Sequence, residues 1–77
     1  MKITKLAKDA LIICNARADV RVYLGRLSRM SESDAKISLA STFQRYLNGD
    51  RVATQSLCLL ADAAGTPGHF GKLRKLS

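Results

Sequence analysis

The stretch from Ser38 to Pro67, SLASTFQRYLNGDRVATQSLCLLADAAGTP, carries two helix stops, Asn48-Gly49 and Gly65 with Pro67 just beyond it. Glycine and asparagine enter the left-handed conformation cheaply, and proline cannot continue a helix, so each stop fixes a boundary. This part of the chain therefore reads as two helices joined by a short basic turn.

In the first of them Leu39, Phe43, Tyr46 and Leu47 share one apolar stripe. Ser41, Thr42, Gln44, Arg45 and Asn48 fall on the polar side, which carries one positive charge and no acid. In the second helix Thr54 is the expected N-cap and Leu57, Leu60, Ala61 and Ala64 form the stripe, with Leu59 lying off it.

The run STFQRYLNGDRVATQSLCLLADAAGTP resembles the second half of the lambda-repressor-like (Xre/Cro-type) helix-turn-helix family. The residues that match are Ser41, Thr42, Arg45, Tyr46, Leu47, Asn48 and Gly49, then Leu57, Leu60, Ala61, Asp62, Ala63 and Gly65. The segment before it, SESDAKISL, departs from that family's pattern: it has no turn glycine, and Leu39 stands where a capping serine is usual. The resemblance implies that the helix around 39–47 enters the major groove, its N-terminal and outward residues nearest the base edges. Gln44 would then pair with adenine and Arg45 with guanine or a phosphate, while Ser41 and Thr42 contact bases or backbone. Asn48 and Arg51, in the loop that follows, would lie close to the DNA backbone.

The charge balance agrees with an anionic partner. Thirteen Lys and Arg against six Asp and Glu give a net charge of +7 and a pI near 10.0 on only 77 residues. Arg17, Arg21, Arg26 and Arg29 form a second basic group, and Lys72, Arg74 and Lys75 a third; both are candidates for phosphate contacts. A chain of this length with 47% hydrophobic residues supports one small globular domain. We read it as a single helical domain over residues 1–66 and a flexible basic tail over 67–77.

Upstream, Ile3, Leu6, Ala7, Ala10, Ile13 and Cys14 keep helical spacing, with Leu11 and Ile12 widening the apolar arc. Helical spacing resumes at Val20, Tyr23, Leu24, Leu27 and Met30, and Asp19 can cap a new start. Two helices can meet at residues 15–19, or one long helix can run from Ile3 to Met30 as a dimer arm with a short heptad seam. Ser31 is the expected N-cap of a helix beginning at Glu32, either a short one ending at Ser38 or one continuous to Leu47. The spacing therefore gives an all-α fold class, a small domain of four to five helices, and the resemblance implies that it is of helix-turn-helix type.

Other chemistries find little support. His69 is the only histidine, and no set of ligands has zinc spacing, so neither a metal nor another cofactor is expected. No nucleophile, base and orienting group can be assembled, so an enzyme is not expected. Cys14 and Cys58 each sit in an apolar helical run, which suggests two reduced, buried thiols in a cytoplasmic protein. No stretch approaches the length of a membrane span.

The first expectation is thus a sequence-specific DNA-binding regulator of phage or mobile-element type, binding double-stranded DNA as a homodimer on a two-fold symmetric operator. The wide apolar face of the first helix and Leu59 motivate the dimer. The alternative is a protein-binding inhibitor or adaptor that blocks a host or viral machine through a basic helical surface.

Overall fold

The computed structural model describes residues 2–65, and these form four helices with no strand among them: α1 (Ile3–Ile13), α2 (Ala18–Arg29), α3 (Glu32–Leu47) and α4 (Arg51–Ala63). The tail over 67–77, including Lys72, Arg74 and Lys75, lies outside the described residues.

Both stops are where the composition places them. At the end of α3, Gly49 adopts φ +88°, its N–H donates to Tyr46 O and the Asp50 N–H donates to Arg45 O, each at 3.0 Å. That is the left-handed Schellman closure, which satisfies carbonyls the helix leaves orphaned. At the end of α4, Gly65 has φ +74° and its N–H donates to Asp62 O.

The start of α4 differs from expectation. Asp50, not Thr54, is the N-cap: one carboxylate oxygen accepts from the N–H groups of Val52 and Ala53 at 2.8 and 3.2 Å. Thr54 lies a turn inside, its hydroxyl donating to Asp50 O. The Asp50 side chain takes two amides that the first turn of the helix leaves without a backbone partner, and aspartate is a better cap than threonine.

The N-terminal half forms two helices. The chain is extended at Cys14, and α2 starts beyond Arg17, with Asp19 inside its first turn rather than at the cap. A single helix over Ile3–Met30 would be about 42 Å long, whereas the greatest extent of the molecule is 26 Å. Of the seam such a helix would carry, Ile3, Leu6, Ala10, Val20, Leu24 and Leu27 are buried in this chain's own core, whereas Ile13 and Arg17 are exposed. The single long helix over Ile3–Met30 is therefore not formed.

That core joins all four helices, with Leu39 and Phe43 from α3 and Leu57, Leu60 and Ala61 from α4 packed against α1 and α2. Leu59 and Tyr46 pack at its edge. By contrast Ile12 is 83% exposed, and Ile13 and Leu47 are exposed too, because each lies in the last turn of its helix where the stripe outruns the core.

Two short links set the orientation of α3. Only Met30 and Ser31 separate it from α2, and Ser31 Oγ accepts from the Asp34 N–H as its cap. Glu32 reaches across to the start of α1, where its Oε1 accepts from the Ile3 N–H at 3.1 Å. The helix then runs unbroken through Ser38 and Leu39, so residues 39–47 are its second half rather than an element of their own.

Candidate nucleic-acid interface

The polar side of α3 divides in two. Ser41, Gln44, Arg45 and Asn48 are exposed, as is Arg51 at the start of α4, and none of these five shares its stretch of surface sequence with a carboxylate other than Asp50, which is engaged as a cap. Thr42 is different: it is 0% exposed and so unavailable to bases or backbone. Its Oγ1 lies 2.8 Å from Tyr23 Oη and 3.0 Å from Ser38 O, and a hydroxyl placed in that way is a bridge between helices.

Arg45 is attached to the same bridge, its Nη2 donating to Thr42 Oγ1 at 3.3 Å. Burial pushes the Tyr23 phenol up from its ordinary range, opposed by the hydroxyls of Thr42 and Ser38 and by the nearby positive charge of Arg45. Tyr23, which helical spacing assigns to the core, is thus half core and half polar wall.

That wall bounds a cleft of about 590 Å³ between α2 and α3, which Val52 of α4 also lines. Arg26 and Arg45 both line it, together with Ser38, Ser41 and Tyr23. Ser38, Ser41 and Arg45 stand at i, i+3 and i+7, the spacing that keeps side chains on one face of a helix, and that spacing was legible in the sequence. What was not legible is the arrival of Arg26 from another helix.

The four arginines around α2 do not act as one group. At 100° per residue, Arg21 and Arg26 are separated by about 140° around the helix. Arg17 pairs with Asp19 at 2.9 Å on the exposed surface. Arg29 turns back, its Nε donating to Gly25 O, and Arg21 borders a shallower hollow with Leu11, Ala18 and Val22. Arg26 alone of the four faces the cleft.

The first turn of α3 constrains how the helix can approach an anion. Glu32 and Asp34 both lie there, so entry by the N-terminus would carry two carboxylates toward phosphates. Beyond Asp34 the helix carries no acid, and the strip from Ser41 to Asn48 lies within that part. Among the described residues no group of three or more His, Cys, Asp or Glu is placed to hold a metal ion, and no helix is long and apolar enough to cross a membrane.

No protein-family model, curated protein or solved structure matches this chain.

Proposed function

We propose that this protein is a DNA-binding transcriptional regulator, acting in the cytoplasm as a small repressor of phage or mobile-element type. The observation that supports the reading is the acid-free exposed strip Ser41, Gln44, Arg45 and Asn48 on α3, flanked by Arg51 and by the Arg26 side of the cleft. Amide and guanidinium groups on one helix face are the donors and acceptors that read base edges in a major groove. The helix would lie along the groove by its second half, with Glu32 and Asp34 held away. A homodimer on a two-fold symmetric site is the expected assembly.

Binding of the full chain to random-sequence duplex DNA, followed by fluorescence anisotropy across a salt series, tests this reading. Affinity should fall steeply with salt, with a slope of about −0.9 per phosphate neutralised, and Arg45→Ala and Arg51→Ala should each flatten it. Selection from a random pool should return a preferred site that Gln44→Ala blurs. No binding at low salt, or a slope untouched by both arginine substitutions, would overturn it.

A second reading, a protein-binding adaptor, is favoured by one feature, the large apolar side chains Ile12, Ile13, Val22, Ile37 and Leu47 left exposed. Such a protein would capture one acidic partner stoichiometrically and no DNA.

A further inference from the structure

The cleft between α2 and α3 contains more cationic hydrogen-bonding capacity than the fold uses. Arg26 forms no ion pair with any described carboxylate, and Arg45 is engaged only with the neutral Thr42 hydroxyl. Asp19, the acid among the lining residues, is already engaged by Arg17 and by the Val20 N–H. The remaining lining groups are the hydroxyls of Ser38, Ser41 and Tyr23 and the apolar surfaces of Val22, Met30 and Val52.

Arg26 and Arg45 both line this one cleft, and two like charges in such a space repel each other unless an anion lies between them. The guanidinium fork matches phosphate and carboxylate oxygens, and hydrogen bonds between such charges are stronger than neutral ones. Two forks and the serine hydroxyls supply more donors than the two oxygens of a carboxylate can seat, whereas a phosphate offers three or four oxygens. The Thr42 hydroxyl, itself held between Tyr23 and the Ser38 carbonyl, limits the rotamers of Arg45 and so lowers the ordering cost of binding.

We propose that the α2–α3 cleft is a phosphate-ester site in which Arg26 and Arg45 hold the oxyanion and Ser38 and Ser41 complete its hydrogen bonding. The phosphate can come from a DNA backbone strand or from a free phosphomonoester. Only the first source rests on the DNA-binding reading; the site itself does not.

The test is a heteronuclear NMR titration of the isotope-labelled full chain with inorganic phosphate and with adenosine 5′-monophosphate, against sodium chloride at matched ionic strength. The expected result is saturable shifts at Tyr23, Arg26, Ser38, Ser41 and Arg45 with both phosphates. Arg26→Gln, at an exposed position that leaves the core intact, should weaken binding about tenfold, the loss of one charge-assisted contact. Lys5→Gln on α1 should change nothing. Absence of saturable shifts, or shifts spread equally over Lys2, Lys5 and Lys8 and indifferent to Arg26→Gln, overturns the proposal. Duplex DNA that displaces bound phosphate upholds the site and identifies the backbone as the source, and duplex that binds without displacing it upholds the site for a free ester. If phosphate titrates into the cleft while duplex fails to bind, the DNA reading fails and the site stands.

Discussion

The hydroxyls of Thr42 and Tyr23 meet 2.8 Å apart between α3 and α2, and the Thr42 hydroxyl accepts from Arg45 at the wall of a cleft that Arg26 also lines. Thr42→Val keeps the shape and removes the bridge. It should cost about 1 kcal/mol, the net worth of a hydrogen bond whose partner retains some access to water. Tyr23→Phe should cost a similar amount, and the double substitution less than the sum, because both remove one interaction. Urea unfolding of the three variants measures the coupling.

The same contact predicts an alkaline limb. Burial raises the Tyr23 phenol above its ordinary value of 10.0, so the unfolded chain ionises first as pH rises. The stability contributed by the neutral phenol is complete below 10.0 and is lost as pH climbs from there through the raised folded value. Tyr23→Phe should remove that part of the decline. An unfolding free energy with equal slope above pH 10 in both proteins, followed by denaturant titration, would contradict the assignment.

Asp50 is placed to be the most sensitive cap of the fold, since its carboxylate accepts from both Val52 and Ala53. Asp50→Ala should destabilise the protein by about 1–2 kcal/mol and Asp50→Asn by much less, in line with other N-caps. Thr54→Ala should cost less than Asp50→Ala, because its hydroxyl bonds back to Asp50 O inside a helix that is already closed. Thermal melts of the three rank the positions.

The boundaries at Gly49 and Gly65 were legible because a stop is decided by the residue's own backbone preference. The start of α4 was less so: Asp50 and Thr54 are both good capping types, and only the Schellman closure at Gly49, which positions Asp50 directly before a helical turn, selects between them. Thr42 was placed on the polar side by its residue type, and nothing local announces that Tyr23 will come to meet it from another helix. The break at residues 14–17 has neither glycine nor proline to mark it; it is imposed by packing, since α1 and α2 must fold back to bury Leu6, Ala10 and Leu24 together. That Arg26 and Arg45 line one cleft has the same tertiary origin. Element types were thus local information, and the cleft was not.

The two cysteines separate in a way their apolar surroundings did not suggest, with Cys14 buried and Cys58 exposed. In the native protein iodoacetamide should label Cys58 alone, and Cys14 only after denaturation, as intact-mass spectrometry reads directly. Partial burial first, and then the Asp62 carboxylate, hold the Cys58 thiol above its ordinary 9.0. Its labelling rate should therefore be slow at neutral pH and still rising past pH 9, and Asp62→Asn should quicken it.

Leu39 and Leu47 were expected on one stripe of α3, yet Leu39 is wholly buried and Leu47 is 56% exposed. The helix ends at Leu47 and turns away at Gly49, so the last turn extends past the surface that α1 and α4 supply. Leu39→Ala should cost roughly 2–5 kcal/mol through lost burial and a residual cavity, while Leu47→Ala should stay within about 0.5 kcal/mol of the parent. Since Leu47 adjoins Gln44 and Asn48 on the exposed side, the contrast also bears on function. A Leu47→Ala variant with unchanged stability but weakened duplex binding would place this leucine in contact with DNA, where its side chain could pack on a thymine methyl. If instead Leu47→Ala destabilised the fold as much as Leu39→Ala, the exposed position of the last turn of α3 would be wrong, and with it the orientation of the strip from Ser41 to Asn48.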